Sequence, residues 1–168
     1  MVRLFLLHIF AWAESNGCLL RQADLVQQNG KGFFMQYDRF VGHVQHRAQL
    51  PSNGEAIHAI RATLPTLAER LTPEEAKDLA SQLPQEIGVF LHREPSQPAE
   101  RLSLDDFFHR VSEREGKDLP TSVYHARVVI EVLKEAVSPG EMRDVQAQLP
   151  AEFSALFEAG SRGHLSAK

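Results

Sequence analysis

Eight histidines stand among the 168 residues, and four of them have neighbours at metal-ligand spacing. His43 and His46 are three apart, close enough on one helix face to share an ion. Glu55-x-x-His58 has the Glu-x-x-His spacing of di-iron carboxylate bundles, and Asp106-x-x-His109 is a looser echo of it. A metal would therefore use His43, His46, Glu55 and His58. Against it, no second Glu-x-x-His is present, and Glu55 stands at a helix start, where the dipole favours an acid on its own. The expectation is that no metal and no cofactor is held.

Nucleophile chemistry finds no frame either. The sequence has no Gly-x-Ser-x-Gly elbow and no Gly-x-x-x-x-Gly-Lys-Ser/Thr phosphate loop, and Asn29-Gly30-Lys31-Gly32 is too short to be one. The single cysteine, Cys18, excludes a disulfide framework and a multi-cysteine zinc site. No catalytic residue is assigned, and the reading leans away from an enzyme. A net charge of −4 gives no basic field for nucleic acid. Arg110, Arg114 and Lys117 make a basic stripe, but Glu113, Glu115 and Asp118 interleave with it, as on a solvated helix face.

What positions these side chains is a repeated pattern. Residues 71–86 match residues 137–152 at an offset of 66, with Pro73/Pro139, Glu75/Glu141, Asp78/Asp144, Gln82/Gln148, Leu83/Leu149, Pro84/Pro150 and Glu86/Glu152 identical. Arg61/Arg127, Leu67/Leu133 and Glu69/Glu135 extend the match upstream. Tyr37-Asp38-Arg39-Phe40 meets Leu104-Asp105-Asp106-Phe107 at an offset of 67, so one residue is gained or lost in between. A tandem duplication follows, and it weakens the histidine motifs: His43 aligns with Arg110, His46 with Glu113 and His58 with Tyr124. The polar pairs Arg61, Arg127, Asp78, Asp144, Glu75, Glu141, Gln82 and Gln148 read as structural. Glu75 and Glu141 belong to caps, Arg61 and Arg127 are expected to pair with Asp78 and Asp144, and Gln82, Gln148, Glu86 and Glu152 are expected to tie the Leu-Pro corners.

Each unit reads as four helices. The first spans about 36–48 and recurs at about 103–115, where Ser103 and Asp106 form an N-cap with an acidic first turn. The second spans about 53–71 and recurs at about 121–137. Ile57, Ile60, Leu64, Leu67 and Leu71 draw one apolar stripe, which Val123, Ala126, Ile130, Leu133 and Val137 repeat. Val128, Val129 and Val132 widen the second stripe, so the second copy is expected to be the more central. Pro65 predicts a kink or early break. Thr72-Pro73-x-Glu75 and Ser138-Pro139-x-Glu141 open the third helices as capping boxes with Pro in the first turn. Leu83-Pro84 and Leu149-Pro150 end them. The fourth helices then turn Ile87, Phe90, Leu91 and Phe153, Leu156, Phe157 inward.

The expected organisation is a leader at 1–34, repeats at 35–94 and 103–159, a stiff linker at 95–102 containing Pro95 and Pro98, and a flexible tail at 160–168. The leader carries Arg3, Arg21 and Lys31 against Glu14 and Asp24, a balance of +1 that leaves −5 for the remainder. Its opening, a basic start and an apolar run ending Ala11-Trp12-Ala13, has the shape of a signal peptide and is too short to span a membrane. The competing readings are an N-terminal helix and a true start at Met35, since Lys31-Gly32 back-translates to a purine run of the kind that precedes bacterial start codons. The last is preferred, with a cytoplasmic location; a true signal peptide in residues 1–13 implies a secreted or periplasmic one instead.

The Leu-Thr-Pro-Glu-Glu-Ala-x-Asp-Leu-x-x-Gln-Leu-Pro run at 71–84, its second copy, and Tyr37-Asp38-x-Phe40 resemble the bacterial family called domain of unknown function 2267. The resemblance covers about residues 35–159. It implies an all-helical fold and a bacterial source, and it carries no activity. The fold expected is all-α, a duplicated four-helix unit in a compact helical bundle, with the two units packed against each other; the alternative is one continuous bundle.

The function read from these residues is a non-catalytic module that binds a protein partner or itself. The alternative is a small-ligand or metal-binding protein with its site between the repeats. An exposed apolar patch favours the first. A closed pocket lined by Arg61 or Arg127 favours the second.

Overall fold

A computed structural model of the chain describes residues 35–158. Those residues form eight α-helices and no strand. The helices are α1 (Tyr37–Arg47), α2 (Asn53–Ala68), α3 (Pro73–Ser81) and α4 (Gln85–Gly88), the last continued by a 3₁₀ turn at Val89–Leu91. Then come α5 (Leu104–Glu115), α6 (Leu119–Ala136), α7 (Pro139–Gln148) and, after a 3₁₀ turn at Ala151–Phe153, α8 (Ser154–Glu158). The leader with Cys18 and the tail from Gly160 lie outside the described residues.

Helices α1, α2, α5 and α6 share one apolar core. Helix α2 packs against both α5 and α6, α1 lies on α2 and α6, and α3 runs beside α7. The two halves therefore interleave as one continuous bundle. Sequence reasoning preferred two units packed together, and contacts across the halves overturn that preference. The reason lies in α2, whose buried set includes Ala56, Ala59, Ala62, Thr63, Thr66 and Ala68, small enough to let neighbours approach on several sides. Ile60, Leu64 and Leu67 from α2 and Ile130 and Leu133 from α6 are fully buried, each worth about 1.5–3 kcal/mol relative to exposure.

Three other expectations are corrected. The second half is no more central than the first: α2 buries nine of its 16 residues and α6 ten of its 18. Of the kink or early break expected at Pro65, the break at the proline does not occur, since α2 runs on to Ala68. The missing N–H removes one ladder bond, and Glu69 N–H to the Pro65 carbonyl closes the end at 3.1 Å. Phe90 is only half-buried, while Ile87, Leu91, Phe153, Leu156 and Phe157 are buried as expected.

The linker is held at both ends. The Arg93 guanidinium donates to the carbonyls of Ala68 (2.8 Å), Glu69 (2.8 Å), Leu71 (3.0 Å) and Pro98 (2.8 Å). One side chain thus takes up the carbonyls left open at the end of α2 and pins the proline segment against them.

Candidate functional site

The four residues a metal would use are not brought together. His43 Nδ1 lies 3.6 Å from Glu135, Glu55 pairs with Lys117 at 3.1 Å, and His46 and His58 are exposed. Asp106 is taken by Ser103, and His109 lies 3.6 Å from Asp105. Among the described residues no group of three or more His, Cys, Asp or Glu could hold an ion.

The basic stripe is solvent-facing at Arg114 and Lys117, with Arg110 half-buried, but its partners are not the acids beside it. Arg110 bonds Glu69 at 2.5 Å and Glu100 at 2.8 Å, and Arg114 meets Glu69 and donates to Thr66 Oγ1 at 2.7 Å. Glu69 closes α2, so this network ties the second half to the first. The Arg110 hydrogen bond holds the Glu100 carboxyl below the ordinary glutamate range. Arg47 does the same for Glu135 across the α1–α6 contact.

Arg61 and Arg127 do not pair with Asp78 and Asp144. Arg61 lies over the Phe90 ring, 6.0 Å from its centroid, and Arg127 over Phe108 at 5.9 Å. Each guanidinium covers an aromatic face of its own half.

The polar pairs do meet at the seam between α3 and α7, in an arrangement that differs from a simple capping box. Thr72 Oγ1 accepts from Glu75 N–H, and Ser138 Oγ from Glu141 N–H, both at 3.3 Å. The glutamate side chains do not reach back to the caps. Thr72 N–H donates instead to Gln148 Oε1 (3.1 Å), while Gln148 Nε2 donates to Glu75 Oε2 (2.8 Å). The mirror image holds across the seam: Ser138 N–H donates to Gln82 Oε1 (2.8 Å), and Gln82 Nε2 to Glu141 Oε2 (2.9 Å). Each glutamine completes the cap of the opposite helix. Gln82 and Gln148 therefore join the halves rather than tying their own Leu-Pro corners. Glu152 also leaves its corner, accepting Leu104 N–H at 3.1 Å.

The seam carries like charge. Burial raises the Glu75 carboxyl above the ordinary glutamate value, with Asp144 and Asp78 adding repulsion. Burial likewise raises Glu141, helped by Glu75, Asp78 and Asp144. Each glutamate keeps one buried oxygen, Oε1, with no hydrogen-bond partner.

Sequence reasoning missed a second polar site, at the α5–α6 corner. His125 Nδ1 and Glu115 Oε1 are in hydrogen-bond contact, with side chains only 6% and 1% exposed. Ser122, one turn before His125, is fully buried with its hydroxyl unpartnered. The signal lay in the repeat alignment. At the offsets of 67 and 66, Glu115, Ser122 and His125 stand where the first half has Ala48, Ala56 and Ala59.

Among the described residues Val89, 57% exposed, is the large hydrophobic side chain left open to solvent. No described helix is long and apolar enough to cross a membrane.

Comparison with known proteins adds one match. The model of a family described as an uncharacterized conserved protein (DUF2267) covers residues 37–156, from the start of α1 into α8. No curated protein matches the chain.

Proposed function

The chain belongs to the DUF2267 family, and from that premise we propose that it is a non-catalytic helical module that binds a protein partner through a charged surface. The observation that supports this reading is the acidic seam. Asp78 and Asp144 are exposed beside Glu75 and Glu141, and among the described residues no cation pairs with any of the four. Like charge held together without compensation costs stability, and a partner presenting basic side chains relieves that cost. The same charge opposes self-association seam to seam. Among the described residues one large hydrophobic side chain, Val89, is open to solvent, which turns the expected partner surface from an apolar patch into a polar one.

The test is a pull-down from the source cell using wild type and an Asp78→Asn/Asp144→Asn variant as bait, at low and high salt. The expected result is a stoichiometric partner retained by wild type at low salt and lost with the variant or with salt. Recovery of the protein alone, as a monomer, overturns the reading. Stoichiometric metal in tag-free protein replaces it with a ligand-binding function between the halves.

A further inference from the structure

The seam has a property that does not depend on any partner. Helices α3 and α7 are joined through two glutamine amides, each locked at both ends. Its oxygen takes a cap N–H, and its nitrogen gives to a glutamate of the opposite helix. That uses Oε2 of Glu75 and of Glu141. The two remaining oxygens are buried acceptors with nothing to accept from, a state that costs more for a charged group than for a neutral one. A proton placed on either carboxyl makes the unpartnered oxygen part of a neutral group, which is cheaper to bury, and removes one charge from the group formed with Asp78 and Asp144.

We propose that the α3–α7 seam is a proton-operated latch, in which uptake of a proton by the Glu75/Glu141 pair tightens the contact between the two halves and its release loosens it. The groups bearing on the pair are Asp78 on α3 and Asp144 on α7, both acidic, with Gln82 and Gln148 as neutral donors. The cations of the two helices, Lys77 and Arg143, are exposed. Both glutamates have folded-state affinities for protons above their unfolded ones. Their charged forms therefore weaken the fold above the raised value, and the penalty disappears as pH falls to the ordinary glutamate value of about 4.3. Glu100 and Glu135 have the opposite shift, so their contributions are lost as pH falls. The seam must then be read as a difference between proteins.

The experiment is urea unfolding of wild type and Glu75→Gln/Glu141→Gln across the range from acid to neutral pH. Glutamine mimics the protonated acid in shape, donor and acceptor. The expected result is that the variant exceeds wild type at neutral pH, and that the two curves converge on acidification. Curves that stay parallel overturn the latch. If the double variant does not fold, carboxyl carbon NMR of wild type decides: Glu75 or Glu141 titrating above the other glutamates supports the latch, and both titrating in the ordinary range overturns it. Hydrogen exchange at residues 72–82 and 138–148 supplies the local readout. Protection that rises on acidification, beyond the intrinsic pH effect, is expected there and not in α1.

Discussion

The α1–α2 corner and the α5–α6 corner occupy corresponding places in the two halves, yet they are filled with opposite chemistry. The first is closed by Ala48, Ala56 and Ala59, each 5% exposed or less. The second encloses Glu115, Ser122 and His125, of which Glu115 and His125 are bonded to each other. The backbone solution is otherwise shared. An N-cap side chain opens the second helix in both halves, Ser52 to Glu55 N–H and Asp118 to Thr121 N–H. A left-handed residue ends the first turn in both, Gln49 at φ 53° and Gly116 at φ 69°. The offset changes from 67 to 66 between those landmarks, so the extra residue lies in the α1–α2 loop. The comparison teaches that helix placement here is set by caps, turns and stripes. The interior of a corner is free to be apolar or polar: Glu115 and His125 bond each other, and Ser122 is enclosed beside them with its hydroxyl unpartnered.

The strongest way to break that comparison is to remove one member of the buried pair. His125→Ala leaves Glu115 enclosed without its hydrogen-bond partner, and stranding a buried polar group in this way costs about 1–3 kcal/mol, more for a charged one. Ala59, the corresponding residue, shows that alanine itself is acceptable at this place in the fold. The double substitution Glu115→Ala/His125→Ala should therefore cost less than the sum of the singles, because neither member of the pair is left without its partner. Chemical unfolding of the three variants measures this. Additive losses mean that the two residues do not act as a unit.

A smaller effect tests where the halves are alike. Gln82→Ala and Gln148→Ala each remove a bond to a cap N–H and a bond to a glutamate, and each should destabilise by about 1–2 kcal/mol. Reciprocal bonding predicts equal losses, read from urea midpoints. Unequal losses mean that one glutamine carries the seam alone.

These contrasts also mark what the sequence makes legible. The stripes of α2 and α6 follow from three- and four-residue spacing, and every residue of both is buried except Ile57, which is half-buried. The Thr-Pro and Ser-Pro starts of α3 and α7 are equally plain, since the N-cap to N3 bond is local. The bonding of Gln82 and Gln148 is not plain, because each lies 56–76 residues from its partners, and nothing local distinguishes a glutamine that ties its own corner from one that crosses to another helix. Arg110 and Arg114 misled for the same reason: the acids beside them on α5 are not the ones they bond. The His125–Glu115 pair was visible only by asking what the other half places at the same positions.

The smallest effect concerns the left-handed turn. Gln49 holds φ 53° where its counterpart Gly116 holds φ 69°. A side chain in that region costs about 1–2 kcal/mol, which glycine avoids. Glycine returns part of the gain through its greater freedom in the unfolded chain. Gln49→Gly should therefore stabilise by about 0.5–1 kcal/mol, and Gly116→Gln should destabilise by about 1 kcal/mol. The Leu50 N–H bond to the Gln45 carbonyl, at 2.9 Å, closes the same turn through the backbone, and neither substitution removes it. Opposite shifts in thermal midpoint fit two corners built on one turn. Shifts of the same sign mean that Gln49 makes contacts worth more than its strain, and that the two turns are alike in geometry only.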